Sequence, residues 1–349
     1  MGNKLYQNEK EKRKYFDFCR NAKGFSIRTM KKIEGAVYKY DEYSKNIDYK
    51  QFNSEMAKGF KKWLASHKNS KEQSLALSTQ FHILRHLKGF LTWLSQQSGY
   101  KSKISFDDIE YLSLSRAESR MATASRQPSY PSREYILKIT SFKINDDIDL
   151  RDRALISFTA LSGMRDLAII TLPFGAYEKE NQIVNQDPSL GVKTKFSKTI
   201  FTKLIIFDAK LLEYFHLWVE RLKNKYTFSI KDPLFPATDV GLKSPVEHSF
   251  VPIGIGKSSW SDTGSMREIF KKRAIQMGLD YFSPHKFRHF NTSEALRYAT
   301  NAEQIKAISQ NLGHEKVSTT LFSYGAIDNF RLPKVIEEIN EGVKNGNNL

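Results

Sequence analysis

Apolar residues recur at spacings of three and four over most of this chain. Leu84, Leu87, Leu91 and Leu94, with Phe81, make one such stripe; Phe60, Trp63 and Leu64 make another, with Lys58, Lys61 and Lys62 around its other side. That period belongs to amphipathic helices, and it predicts a helical region over residues 26–114. Between residues 116 and 132 the period fails, and a polar stretch with two prolines predicts a linker. Further on, helices are expected at 133–142 and 152–161. Residues 199–207 are rich in β-branched and aromatic side chains and predict a strand, with 192–196 as its hairpin partner turning at Ser197-Lys198. Helices are expected again over 211–218 and from Met266 onward. The predicted fold is mainly α with a small β-sheet, an α+β chain. It divides into a basic N-terminal arm (1–25), a helical domain (26–115), a linker (116–132) and a second domain with a C-terminal segment (133–349). In that last segment Val335, Ile336 and Ile339 form a short apolar stripe, suited either to a neighbouring subunit or to its own domain.

Charge narrows the function. Across 349 residues, 55 Lys and Arg stand against 38 Asp and Glu, a net +17. Such a surplus favours a polyanion, most simply nucleic acid. On this reading the lysines Lys58, Lys61 and Lys62 grip a duplex backbone; lysines on a solvated helix face are the alternative. Cys19 is the single cysteine, so neither an internal disulfide nor a CxxC metal knuckle can form. No secretory h-region opens the chain and no apolar run approaches a membrane span, which predicts a soluble, cytoplasmic protein.

Two motifs mislead. Gly256-Lys257-Ser258 resembles the end of a P-loop, but Val251 stands where the leading glycine belongs, and no strand is predicted ahead of it. Asp146, Asp147, Asp149 and Asp152 could be imagined as a metal cluster. Their place before a helix predicts instead capping by Asp149 and a solvated acidic loop. No zinc-ligand spacing occurs, and the predicted chemistry is metal-free.

Three segments carry reactive side chains at defined points. Ser283 and Pro284 suit the N-cap and first position of a helix, placing His285 and Arg288 on one face of its opening turns, where a phosphate is favoured. Thr300-Asn301-Ala302-Glu303 reads as a capping box, followed by an apolar face of Ala302, Ile305, Ile308 and Leu312. Gly313 stops that helix, so His314 emerges just past its end. Tyr324 follows after Ser318-Thr319-Thr320. Earlier, Arg165 comes just after a glycine break in an apolar helical run.

The stretches TALSGMRDLAIITL (159–172), SPHKFRH (283–289) and NLGHEKVSTTLFSYG (311–325), in this order, resemble the signature of the tyrosine recombinases, or phage integrase family. The resemblance covers most of residues 26–340 and implies a helical core-binding domain followed by a catalytic domain. It implies that Tyr324 attacks the scissile phosphate to give a 3′-phosphotyrosyl link, with no ATP, metal or other cofactor. Arg165 and Arg288 would clamp the non-bridging oxygens, His285 would help deprotonate the tyrosine, and His314 would donate a hydrogen bond to the phosphate. A hairpin lysine would protonate the leaving oxygen: Lys198 by counting back from the strand, then Lys195, with Lys193 also in range. The implied partners are double-stranded DNA at a specific site, three further copies in a tetramer, and accessory DNA-bending proteins, in a bacterial or archaeal nucleoid. The implied function is integration or excision of a mobile element or prophage. Type IB topoisomerase-like relaxation, or an inactive DNA-binding protein on the same fold, are the alternatives. The chain departs from the family pattern at Ala168, where an acidic residue is usual; Asp166 is expected to face another side. The interval from His314 to Tyr324 is one residue longer than the commonest spacing.

Overall fold

The computed structural model describes all residues except 1, 69–71, 125–128, 243–249, 325–332, 334–335, 339 and 342–349. Most of the predicted C-terminal stripe therefore lies outside the described residues. Two compact units are present, Met1–Ala124 and Ser125–Leu349. No described helix is long and apolar enough to cross a membrane.

The first unit is helical throughout: α1 (Gly2–Asp17), continued by a π-helical turn (Phe18–Ala22), α2 (Ile27–Ser44), α3 (Ser54–Ser66), α4 (Leu77–Ser95), α5 (Phe106–Glu110) and α6 (Arg116–Thr123). The stripe Leu84, Leu87, Leu91 and Leu94 is buried with Phe60 and Leu64. The segment expected as a basic arm (1–25) is instead part of the first unit's packed helices. Residues 2–22 are helical, and Tyr15 and Cys19 sit in the unit's core. Its polar residues are buried because they are partnered. Lys12 pairs with Asp41 at 2.6 Å, which also accepts from Tyr49 Oη, and Asn8 donates to the Ile47 carbonyl at 2.8 Å. A buried charge is tolerated when paired in this way. The stretch expected as linker begins with α6, which Ser115 and Glu118 close with a complete capping box.

In the second unit α7 (Arg133–Ile139) leads to α8 (Asp147–Ser162), buried almost all round from Asp149 onward. α9 (Asp166–Ile170) follows. A three-stranded antiparallel sheet is built from β1 (Tyr177–Glu178), β2 (Ile183–Gln186) and β3 (Ile200–Lys203), in that order. β3 thus pairs with β2, not with 192–196, and the strand ends at Lys203, short of the predicted 207. Residues 192–198 form instead part of the connection, where Phe196 and Ser197 take positive φ. α10 (Ala209–Asn224) packs on α8; β4 (Thr238–Leu242) and β5 (Phe250–Ile255) form a hairpin. A strand does therefore lead into Gly256, whose amide donates to the Ala237 carbonyl and extends the hairpin. α11 (Gly264–Gln276), α12 (Pro284–Tyr298), α13 (Ala302–Asn311) and α14 (Val317–Tyr324) complete the unit. Leu155, Phe158, Leu161, Phe215, Trp218, Phe235 and Phe287 lie at its centre.

The acidic run before α8 is not a solvated loop. Asp146, not Asp149, is the N-cap, accepting from the Asp149 amide at 2.8 Å. Asp149 and Asp152 are buried against Arg273, and Asp152 also against Arg151. Among the described residues no group of three or more metal-ligating side chains is placed to hold an ion.

Candidate active site

Arg288 is the hub. It lies in the first turns of α12, after Ser283 and Pro284, and is 2% exposed. Nη1 donates to the Gly163 carbonyl at 2.7 Å, and Nη2 donates to the Leu312 carbonyl at 3.0 Å. Both carbonyls belong to helix ends. Gly163 caps α8 with φ 58°, and Leu312 closes α13 just before Gly313 at φ 68°. The negative ends of two helix dipoles therefore face this buried guanidinium and help to compensate its charge. Both glycines are required sterically as well as by φ. A Cβ on Gly163 would meet Asn291 Oδ1 at 2.5 Å, and one on Gly313 would meet Ile200 Cδ1 at 2.3 Å.

Nη2 of Arg288 also lies 2.9 Å from His314 Nε2. Guanidinium has only donors, so Nε2 accepts. The imidazole proton then sits on Nδ1 and is donated to Thr320 Oγ1, 2.8 Å away. Burial, then the charges of Arg288, Arg165 and Lys195, push His314 down to about 4, so it is neutral at pH 7. His285 is likewise held below the ordinary imidazole value, by burial first, with Arg288, Arg165 and Lys286 lowering it and Asp166 opposing them. A neutral imidazole can accept a proton. Arg165 is the N-cap of α9, half-buried, and its charge acts on both histidines. Arg165, His285, Arg288 and His314 are thus brought together from three distant stretches.

Tyr324 is the last residue of α14, one helical turn beyond Thr320, which is itself buried and bonded to His314. Its side chain lies outside the described residues. Of the hairpin lysines, Lys198 is ion-paired with Glu315, next to His314. Lys195 sits over the exposed Phe196 ring at 4.8 Å, and its charge acts on His314. Lys193 donates its amide to Thr171 Oγ1. The cap of α13 is shifted by one from the expected box. Asn301 accepts from the Gln304 amide, and Gln304 accepts in turn from the Thr300 amide.

Asp166 does not face away, as its sequence position suggested. Its charge acts on His285, and it lies 3.9 Å from Arg267. Two more residues escaped the sequence reading. Asn291, buried, donates to the Ala160 and Leu161 carbonyls and so ties α12 to the end of α8; its spacing of three from Arg288 on one helix was the available signal. Thr320, the acceptor for His314, carried none beyond its position before Tyr324.

In the first unit, Lys58 binds Glu55 at 2.7 Å and Lys61 donates to the Ser113 carbonyl at 3.0 Å, leaving Lys62 the exposed member of the predicted trio.

The second unit, mainly helical with small antiparallel sheets, gathers two arginines and two histidines into one positively charged cluster, an arrangement suited to an anion such as phosphate. Residues 132–329, more than half of the chain, match the model of the phage integrase family. The chain belongs to that family, the tyrosine recombinases of DNA recombination and integration. The fold agrees with solved structures. A lambda integrase (75–356) dimer bound to a COC′ core site has TM-score 0.61 at 12% identity, covering 90% of this chain and 94% of that one. XerH site-specific recombinase in a post-cleavage complex with palindromic difH has TM-score 0.60 at 16% identity, covering 91% and 82%. The Tn1549 transposon integrase with transposon right end DNA has TM-score 0.55 at 13% identity, covering 97% and 98%. No curated protein matches this sequence.

Proposed function

We propose that this chain is a site-specific recombinase that cuts and rejoins duplex DNA through a phosphotyrosyl intermediate. The observation that supports it most is the convergence on Arg288 of Gly163, Leu312 and His314, beside Arg165 and His285. Tyr324 Oη attacks the scissile phosphorus, forming the O–P bond as the bond to the 5′-oxygen breaks. Its proton passes to His285. Arg165 and Arg288 stabilise the charge on the non-bridging oxygens, and His314 donates to one of them once the phosphate has displaced Arg288 from Nε2 and the ring has taken its other tautomer, with Thr320 Oγ1 then donating to Nδ1. Lys195 fits the acid that protonates the leaving oxygen better than Lys198, since Glu315 engages the latter. The phosphotyrosyl bond conserves the free energy of the broken bond, so neither ATP nor metal enters any step.

DNA is gripped in this proposal less by Lys58 and Lys61 than by a face of α2 and α4. Arg28, Lys32, Gly35 and Lys39 fall on one side of α2, and His82, Arg85, His86 and Gly89 on one side of α4. The charges of Lys32 and Arg85 act on both His82 and His86. Assembly of four copies on two sites, accessory bending proteins, nucleoid location and a role in moving a mobile element or prophage complete the proposal.

A nicked suicide duplex, chosen from a random duplex pool by selection for binding, tests it. A covalent protein–DNA adduct that Tyr324→Phe abolishes is the expected result. Tight binding with no adduct would support instead a DNA-binding protein without cleavage, the reading that Ala168 favours. Sequence-independent relaxation without strand exchange would mean a topoisomerase.

A further inference from the structure

Ala168 is 1% exposed and packs in the core of the second unit, so no carboxylate enters the site from that position. Asp166, immediately after Arg165, brings one from elsewhere. Its side chain is 13% exposed, and Oδ1 is buried with no hydrogen-bond partner. Its other oxygen lies 3.9 Å from Nη2 of Arg267 on α11, a side chain half open to solvent. An unsatisfied buried acceptor of this kind costs on the order of 1–3 kcal/mol, and packing alone gives no reason to keep it. The groups facing it give one. The charges of His285, Arg267 and Arg288 act on the carboxylate. Those acting on His285 are Asp166, Arg288, Arg165 and Lys286, and the His289 ring stands edge-on at 5.1 Å. Asp166 is the one anion in that set. Burial acts against the charged form of both partners, raising the Asp166 carboxyl and lowering the His285 imidazole.

We propose that Asp166 is the positioning residue of His285, standing in for the carboxylate missing at Ala168. It offsets the surrounding cations and keeps the imidazole basic enough to take a proton. The catalytic part of this inference rests on the recombinase reading. The electrostatic pair does not.

Asp166→Asn is nearly isosteric and removes the charge, with one acceptor oxygen becoming a donor. In the full chain labelled with 15N-histidine, the His285 titration midpoint, assigned through His285→Gln, is expected to fall by about one pH unit in Asp166→Asn. Asp166→Glu is expected to restore part of it. In the wild-type protein the His285 resonance is expected to show a second inflection as Asp166 ionises, a readout that needs no variant. The acid limb of adduct formation is expected to move down with the midpoint, which a merely structural role would leave in place. An unmoved midpoint together with a single inflection overturns the proposal. Absence of any adduct from wild type, with the titration coupling intact, counts against the recombinase reading and leaves the pair standing.

Discussion

Arg288 Nη2 and His314 Nε2 lie 2.9 Å apart, although both side chains would be expected to act on the same phosphate. Each engages the other, and Thr320 accepts the imidazole proton carried on the far nitrogen. Thr320→Val removes that acceptor while keeping the shape. Losing one hydrogen bond is worth about 0.5–1.5 kcal/mol, so adduct formation is expected to slow by up to about ten-fold with site binding unchanged. Single-turnover cleavage with saturating duplex is the measurement. An unchanged rate would mean that the bond has no part in preparing His314.

Arg288→Ala is expected to abolish cleavage and leave most DNA binding, because contacts spread along the backbone dominate affinity. It also leaves the carbonyls of Gly163 and Leu312 without this donor in a buried place. A loss of stability of about 2–4 kcal/mol is expected, seen as a lower urea midpoint. Collapse of binding in a variant shown to be folded would assign Arg288 to recognition instead.

Low pH is expected to destabilise the second unit through its histidines. His314 and His289 are both pushed down to about 4, chiefly by burial. In the unfolded chain they protonate near 6.5. Between those values the unfolded chain binds more protons than the folded one, so stability rises with pH across this window and is lost as pH falls through about 4. The urea midpoint is expected to drop between pH 7 and pH 4.5, and to drop less in His314→Gln. Equal drops would mean that His314 titrates normally when folded.

Residues with strong local constraints were legible in the sequence; those defined by long-range pairing were not. The start of α12 follows from Pro284 at its first position, although Ser283 makes no side-chain capping bond; the stop before His314 follows from Gly313, and the leucine stripe of α4 from its period. The first helix escaped because its buried seam includes Asn8, Glu11 and Lys12, polar residues whose partners, such as Asp41, lie far along the chain. The sheet partner of β3 escaped for a related reason. β2 is only four residues long, and the connection between them holds, besides Gly191, two non-glycine residues at positive φ that no turn motif announces. Asp149 and Asp152 looked solvated because Arg273, their partner, is over a hundred residues away.

The lysine can be assigned chemically. A duplex with sulfur in place of the bridging 5′-oxygen has a leaving group that needs no proton. Lys195→Ala is expected to cut the normal substrate at least about a hundred-fold more slowly, and the sulfur substrate almost as fast as wild type. Rescue of Lys198→Ala in its place would move the acid to Lys198 and make the Glu315 pair a resting contact.

Gly35 lies in mid-helix on α2, exposed, with nothing within 4 Å of a Cβ built there. Glycine in such a place costs roughly 0.5–1 kcal/mol relative to alanine, and the fold gives no reason for it. A close approach by a DNA backbone between Lys32 and Lys39 would. Gly35→Ala is therefore expected to raise stability by about that amount while weakening duplex binding. Arg28→Gln and Lys32→Gln are each expected to lower the slope of log affinity against log salt by about one, whereas Lys58→Gln is expected to leave it unchanged. A Gly35→Ala protein that is more stable and binds duplex as tightly as wild type would remove α2 from the interface.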